Sequence, residues 1–405
     1  MSERPGEVLL VVSADLAGGL LAQGPAPGPR KDYAVLAGVL RADVLDRTAV
    51  RHSALGRLLA RAFGVPVAQA WLAFRQRRRY SAILTDGEHI GIPLALLLKL
   101  AGAATPHVTI GHRLTAPKKR LFFRWLKVHS HMARIAVHCR RQYELAVSAL
   151  GIPAERLAFV PYQVDVDFWR PQPVAEERLI SSAGLEFRDY PTLFAAVEGL
   201  DVQVVIGAAS YWSKRRNTAA GRPLPDNVRV GAFDYGALRA LYARSAVVVV
   251  PLDDVDFQAG ITCILEAMAM GKPVVVTHSH GQTDVVEDRR AKTRGRPERP
   301  RPVSLLRLLA QESGVALEPN GFYVPPRDPA SLRRALEYLL QHPEERARLG
   351  DAGRRTVERL MTVDHFAARM ARLVDQARAA GAHGAGREAG AVPTGCARWS
   401  QGAPA

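Results

Sequence analysis

The chain has 405 residues, 48% hydrophobic and 23% charged, too many for one small domain and enough for two sizeable cores. Its 55 Lys+Arg against 39 Asp+Glu give a formal net charge of +16, a balance that favours anionic ligands and surfaces. Cys139, Cys263 and Cys396 are far apart and odd in number, which argues against a disulfide framework or a zinc cluster and fits a reducing, cytoplasmic compartment.

From the N-terminus, Glu3 and Glu7 precede a short apolar run, Val8 to Val12, and Asp15 follows. That is the pattern of a buried strand, not of a signal peptide. Ile90 to Ala104 is the longest apolar stretch, but it carries Lys99 and falls short of the ~20 residues of a membrane span. Short β-branched runs alternate with longer helical patterns: LLVV (9–12), AILT (82–85), HVTIGH (107–112) and RIAVHC (134–139). The pattern then breaks at 161–176, which holds Pro161, Pro171 and Pro173 and predicts an interdomain linker. It restarts with LISSAG (179–184), VQVVIG (202–207), VVVVP (247–251) and PVVVT (273–277). Valine-rich runs separated by helices predict parallel strands buried on both faces, in two Rossmann-like, doubly wound α/β halves.

Within the first half, PKKRLFFRWLKVHS (117–130) places Leu121, Phe122, Trp125, Leu126 and Val128 on one helical stripe and Arg120, Arg124 and Lys127 on another. Such a helix either packs its apolar stripe into the core or lies on an anionic membrane through Lys118, Arg120, Arg124, Trp125 and Lys127. Arg75 and Arg77 to Arg79 add charge in the same half. The segment 288–302 is basic, contains proline and has almost no apolar side chains, which predicts a loop insertion. The tail from about 380 is rich in Gly, Ala and Pro and is expected to be disordered.

Chemistry concentrates in PLDDVDFQAGITCILEAMAMGKPVVVT (251–277). A buried strand ends, a loop follows, and a helix opens near Gly260, Ile261 and Thr262 and closes at Gly271. Ligands of open α/β sheets sit outside the carboxyl ends of the strands, where a helix N-terminus offers free N–H groups to an anion. Gly260 lets a phosphate approach the backbone. Glu266, about a turn deeper in an apolar sequence, can accept both hydrogen bonds of a ribose diol. Together these features suit a nucleoside diphosphate. Asp254-Val255-Asp256 resembles a metal-binding triplet, but a helix end and cations can neutralise a diphosphate without metal, so the triplet is expected to be a solvated loop and no metal is expected.

The run QAGITCILEAMAMGKPVVVT (258–277) resembles the donor-binding signature of GT-B glycosyltransferases of family 4, and the likeness spans roughly residues 105 to 375. The resemblance implies two domains facing a central cleft. Residues 1–165 would form the acceptor-side domain and 166–350 the nucleotide-sugar domain; helices in 351–379 would pack back on the first, ahead of a tail at 380–405. It implies metal-independent, hexosyltransferase-like transfer with retained anomeric configuration, serving carbohydrate biosynthesis, with a nucleotide-diphosphate sugar as co-substrate and no cofactor. Glu266 matches the family's ribose-binding glutamate. The family's other glutamate falls at Gln258, which would orient the sugar and which departs from the pattern by losing the charge. SAGLEFRDY (182–190) resembles the glycine turn at Gly184. The family's arginine is missing there, since position 185 is Leu185, and Arg188 or Lys214 would serve the diphosphate. His112 sits where the family carries a histidine, and as a neutral imidazole it would accept a bond from a sugar hydroxyl. Gly18-Gly19 resembles the family's glycine pair; alternatively Arg30 and Lys31, in GPRKDY (28–33), meet a phosphate. A catalytically silent sugar-nucleotide binder and a related epimerase remain as other readings. Nucleic-acid binding has only net charge behind it. The acceptor is not named by the sequence, and membrane contact is expected to be peripheral.

Overall fold

The computed structural model describes residues 7–16, 28–208, 224–288 and 304–384. Gly18, Gly19, Lys214, almost all of the basic segment and the end of the tail therefore lie outside the described residues. The first half runs β1 (Val8–Val11), α1 (Asp32–Leu40), β2 (Asp43–Leu45), α2 (Arg47–His52), α3 (Ala54–Phe63) and α4 (Val65–Gln76). It continues with β3 (Ala82–Thr85), α5 (Glu88–Leu100), β4 (His107–Gly111), α6 (Pro117–Arg124), β5 (Arg134–Val137), α7 (Arg140–Ser148) and β6 (Leu157–Phe159). The second half runs β7 (Leu179–Ala183), α8 (Tyr190–Val197), β8 (Gln203–Gly207), β9 (Val228–Gly231), α9 (Tyr235–Arg244) and β10 (Val247–Val250). It continues with α10 (Ile261–Ala269), β11 (Val274–Thr277), α11 (Leu305–Glu312), β12 (Gly321–Val324), α12 (Pro329–Gln341), α13 (Pro343–Leu360) and α14 (Val363–Gly384).

The strands form two six-stranded, all-parallel sheets of order β2-β1-β3-β4-β5-β6 and β12-β11-β10-β7-β8-β9. This is the doubly wound α/β architecture expected from the valine runs. Residues 247 to 250, four consecutive valines, are fully buried, as a strand covered by helices on both faces must be. In the second sheet the strand order reverses between β7 and β10, so the loops after these two strands diverge and leave a crevice.

One feature differs from the sequence reading, and one adds to it. The proline-rich joint connects the two sheets, as expected, but it is packed. Trp169 is 1% exposed and packs in the core around α10, and Val164 forms a bridge with Thr362. The chain also remains helical through Gly384, past the predicted start of the tail. Phe366, Met370 and Val374 of α14 pack on the first sheet's core beside Leu36 and Leu10, so the C-terminal helix completes the N-terminal half. Among the described residues no helix is long and apolar enough to cross a membrane, and Cys139 and Cys263 are free and buried.

Candidate functional site

At the second sheet's switch point, α10 begins just beyond β10. Its N-cap is Gly260, with φ 75° and no side-chain cap. A Cβ at Gly260 would come within 2.7 Å of Val250 and 3.0 Å of Leu252, so glycine is required by both conformation and space. The uncapped first turn leaves backbone N–H groups facing the crevice, with the positive end of the helix dipole behind them. Ile261 is buried, whereas Thr262 is exposed; Ile261 can therefore offer only its backbone to a ligand. Behind the helix, Gly271 meets the backbone of Gly350 so closely that a Cβ at Gly350 would lie 2.0 Å from the Gly271 carbonyl oxygen. Arg354 donates to the carbonyls of Val166, Trp169 and Ala269. These contacts fix α10 from its far end.

Arg188 occupies a different position from the one expected. It is 3% exposed and lies under the helix opening, where its Nε donates to Ala183 O at 2.9 Å, its Nη1 to Glu186 O at 2.8 Å and its Nη2 to Cys263 Sγ at 3.3 Å. A Cβ at Gly184 would sit 2.5 Å from its Nη2 and one at Gly260 3.2 Å from its Nη1. The guanidinium thus braces the two glycine turns and adds positive charge beneath them; it does not extend into the cleft.

Glu266, one turn into α10, has no side-chain hydrogen-bond partner among the described residues and keeps part of its surface open. Burial pushes its carboxyl up to about 8, against the opposing charges of Arg188 and Lys31. Lys31 comes from the first half. Its Nζ lies 3.3 Å from Tyr235 Oη and 4.4 Å from the centre of that ring, which brings it within electrostatic reach of Glu266. Arg30, expected as an alternative phosphate contact, is committed elsewhere. It forms ion pairs with Asp165, Asp167 and Asp364 at 3.2, 3.3 and 3.0 Å and so ties the loop before α1 to the joint and to α14.

His112 and Gln258, from opposite halves, meet at one cavity of about 160 Å³, with His138 and Tyr162 among its walls. Gln258 is 9% exposed and its Oε1 is buried, with no partner among the described residues. His112 Nε2 lies 2.9 Å from Asp86 O and Nδ1 3.0 Å from Tyr162 Oη. A carbonyl only accepts, so Nε2 carries the hydrogen and Tyr162 donates to Nδ1. The lone pair expected to receive a sugar hydroxyl is already occupied, and a ligand that used it would displace Tyr162.

Sequence reasoning missed the carboxylates behind His112. Glu88, 2% exposed, accepts from the N–H groups of His112 and Arg113 at 3.0 Å each and from Lys119 Nζ at 2.5 Å. Burial opposes its ionisation, yet His112 and Lys119 hold its carboxyl down at about 2. Asp86 accepts from Ser13 N and Oγ, joining the loops after β1 and β3. Only the polar residue immediately ahead of an otherwise apolar helix could have signalled Glu88.

The triplet at 254–256 is not a freely solvated loop. Asp254 accepts from His280 N at 2.8 Å, while Asp256 Oδ2 accepts from Thr115 Oγ1 at 2.6 Å across the cleft. The two carboxylates serve different partners, and among the described residues no group of three His, Cys, Asp or Glu is placed to hold a metal. In the basic segment the apolar stripe is split: Val128 is buried and Phe122 packs against the core beside the fully buried Phe123, while Leu121, Trp125 and Leu126 are 55%, 78% and 40% exposed.

Residues 190–342, which carry α10 and the switch-point crevice, match the family model described as Glycosyl transferases group 1. That match lies wholly within the second half and spans its α8 to α12. Sucrose-phosphate synthase from Thermosynechococcus elongatus superposes with a TM-score of 0.65 at 18% identity, covering 92% of this chain and 100% of that one. HepE from Anabaena, in complex with UDP and glucose, gives 0.59 at 14%, covering 91% and 99%. An α,α-trehalose 6-phosphate synthase from Burkholderia multivorans gives 0.57 at 13%, covering 96% and 100%. At these identities the likeness establishes the GT-B fold. No curated protein matches the sequence.

Proposed function

We propose that this glycosyltransferase moves a sugar from a nucleoside diphosphate sugar to a hydroxyl-bearing acceptor, with retained anomeric configuration and without a metal. The observation that carries the reading is the pairing of an uncapped helix N-terminus at Gly260 with the carboxyl of Glu266, which has no hydrogen-bond partner among the described residues. The diphosphate rests on the first-turn N–H groups of Ile261 and Thr262, in the field of Arg188. The ribose diol bonds Glu266, and the sugar lies toward Gln258 and His112. Transfer breaks the bond between the anomeric carbon and the phosphate oxygen and forms one to the acceptor oxygen. The acceptor's proton leaves with the departing diphosphate. HepE, solved with UDP and with UDP-glucose, supports UDP as the first nucleotide to try. The deciding experiment is a thermal-shift screen of UDP-, GDP-, ADP- and dTDP-sugars, because a bound donor stabilises the fold by mass action. One donor should raise the melting temperature and release its diphosphate when acceptor is added; no response to any of them contradicts the reading.

The neutral Gln258 and the inward-facing Arg188 favour a second reading, a sugar-nucleotide binder without turnover. Binding without release of diphosphate under any acceptor condition would select it.

The exposed face of α6 fits peripheral contact with an anionic membrane. Trp125, Leu121 and Leu126 stand among exposed Lys118, Arg120, Arg124 and Lys127. Lys99 Nζ bonds Leu126 O at 2.7 Å, adding a further cation beside the patch. Aromatic and aliphatic tips flanked by cations suit the interface of a negatively charged bilayer. Co-sedimentation with phosphatidylglycerol vesicles should fall several-fold in Trp125→Ser and with added salt; equal binding to neutral vesicles contradicts it.

A further inference from the structure

We infer that His138 is a sugar-binding residue of this site, its Nε2 accepting a hydrogen bond from a hydroxyl of the donor sugar. The inference rests on the nucleotide-sugar reading and names the sugar's chemistry. His138 stands just beyond β5. Its Nδ1 lies 2.7 Å from Val160 O, and because that carbonyl only accepts, Nδ1 carries the hydrogen and Nε2 presents a lone pair. The residue is 5% exposed, its Nε2 is buried, and no partner meets that nitrogen among the described residues. The ring is held by Tyr162, 4.2 Å away between centroids, and by His112 at 5.3 Å. Burial keeps it neutral, lowering its pKa to about 3.

A buried acceptor left unpaired is costly, and here two of them line one cavity from opposite halves: His138 Nε2 and Gln258 Oε1. A ligand that satisfies both brings two donors on one small frame. Hydroxyls of a neutral sugar do so, whereas the carboxylate of a uronic acid brings only acceptors and would face two lone pairs. The cavity, about 160 Å³, is below the ~300 Å³ at which pockets begin to enclose a whole drug-sized ligand, so it takes one part of the donor. Gln258 lies two residues before Gly260, where the diphosphate is placed, and the group that follows the diphosphate in a nucleotide sugar is the sugar.

The test uses the full chain with UDP, GDP, ADP and dTDP and with the glucose ester of each, titrated by calorimetry. His138→Asn keeps an amide able to donate to Val160 and removes the distal acceptor; His138→Gln restores an acceptor further out. The expected result is a glucose ester that binds the unsubstituted protein more tightly than its bare diphosphate. That margin should shrink about tenfold in His138→Asn and recover in His138→Gln, with bare-diphosphate affinity the same in all three. A margin unchanged in His138→Asn overturns the inference. So does an equal loss of bare-diphosphate affinity, which would mark a structural role. If no diphosphate binds the unsubstituted protein, the nucleotide-sugar reading fails first and this inference falls with it.

Discussion

The two halves share a parallel, doubly wound sheet but build their sites differently. In the second half the chemistry is consecutive: between Gly260 and Glu266 one helix supplies a turn that only glycine can make, open N–H groups and a carboxyl. In the first half it is composite. Asp86 and Glu88 stand after β3, His112 after β4, His138 after β5 and Tyr162 in the joint, and they are joined by hydrogen bonds and tilted ring contacts. A helix-end site depends on backbone electrostatics and tolerates little change of conformation. A side-chain cluster can change one member at a time, and specificity can be adjusted there without disturbing the fold.

Gly260→Val tests the contrast most severely. The new Cβ would press on Val250 and Leu252 in a left-handed backbone conformation, so nucleotide affinity should fall more than a hundredfold by calorimetry (~3 kcal/mol). A smaller effect follows from the protonation of Glu266. With its carboxyl at about 8, it is mostly protonated at pH 7, whereas both oxygens must accept to grip a diol. Nucleotide binding should therefore release close to one proton at pH 7 and tighten about tenfold between pH 7 and 9. Titration in buffers of different ionisation enthalpy measures the proton, and none released contradicts the assignment.

The smallest effect on nucleotide affinity should come from the first half. Glu88→Ala frees the N–H groups of His112 and Arg113 and should slow transfer while changing diphosphate affinity by no more than about twofold, which kinetics and calorimetry on the same variant separate. Its stability signature has a definite sign. Glu88's carboxyl is held at about 2 against an ordinary 4.5, so it stabilises the fold above pH 4.5, and that contribution, at most roughly 3 kcal/mol, is lost as pH falls toward 2. Chemical denaturation between pH 5 and 3 should show a steeper loss in the unsubstituted protein than in the variant.

This division explains what could be read in advance. Valine runs reported the sheets because strands covered on both faces are locally apolar, and α10 was legible because its turn, its helix and Glu266 are contiguous. The surroundings of Arg188 were not legible, since nothing in LEFRDY says that its guanidinium folds back under Gly184 to reach the Ala183 and Glu186 carbonyls. Of the adjacent Phe122 and Phe123, it is Phe123 that is fully buried, a rotation of one residue that leaves Trp125 in solvent and that periodicity does not resolve. His138 passed for the end of a strand, because its significance lies in Gln258 standing across the cavity, a neighbour far away in sequence.

The most direct measurement is the affinity of Glu266→Ala for the nucleoside diphosphate that binds the unsubstituted protein. Removing the only proposed ribose contact from an otherwise intact helix end should weaken binding about a hundredfold, roughly 3 kcal/mol, with the melting temperature of the free protein unchanged or raised. Equal affinity in the variant and the unsubstituted protein would contradict the central claim that this carboxyl grips the ribose.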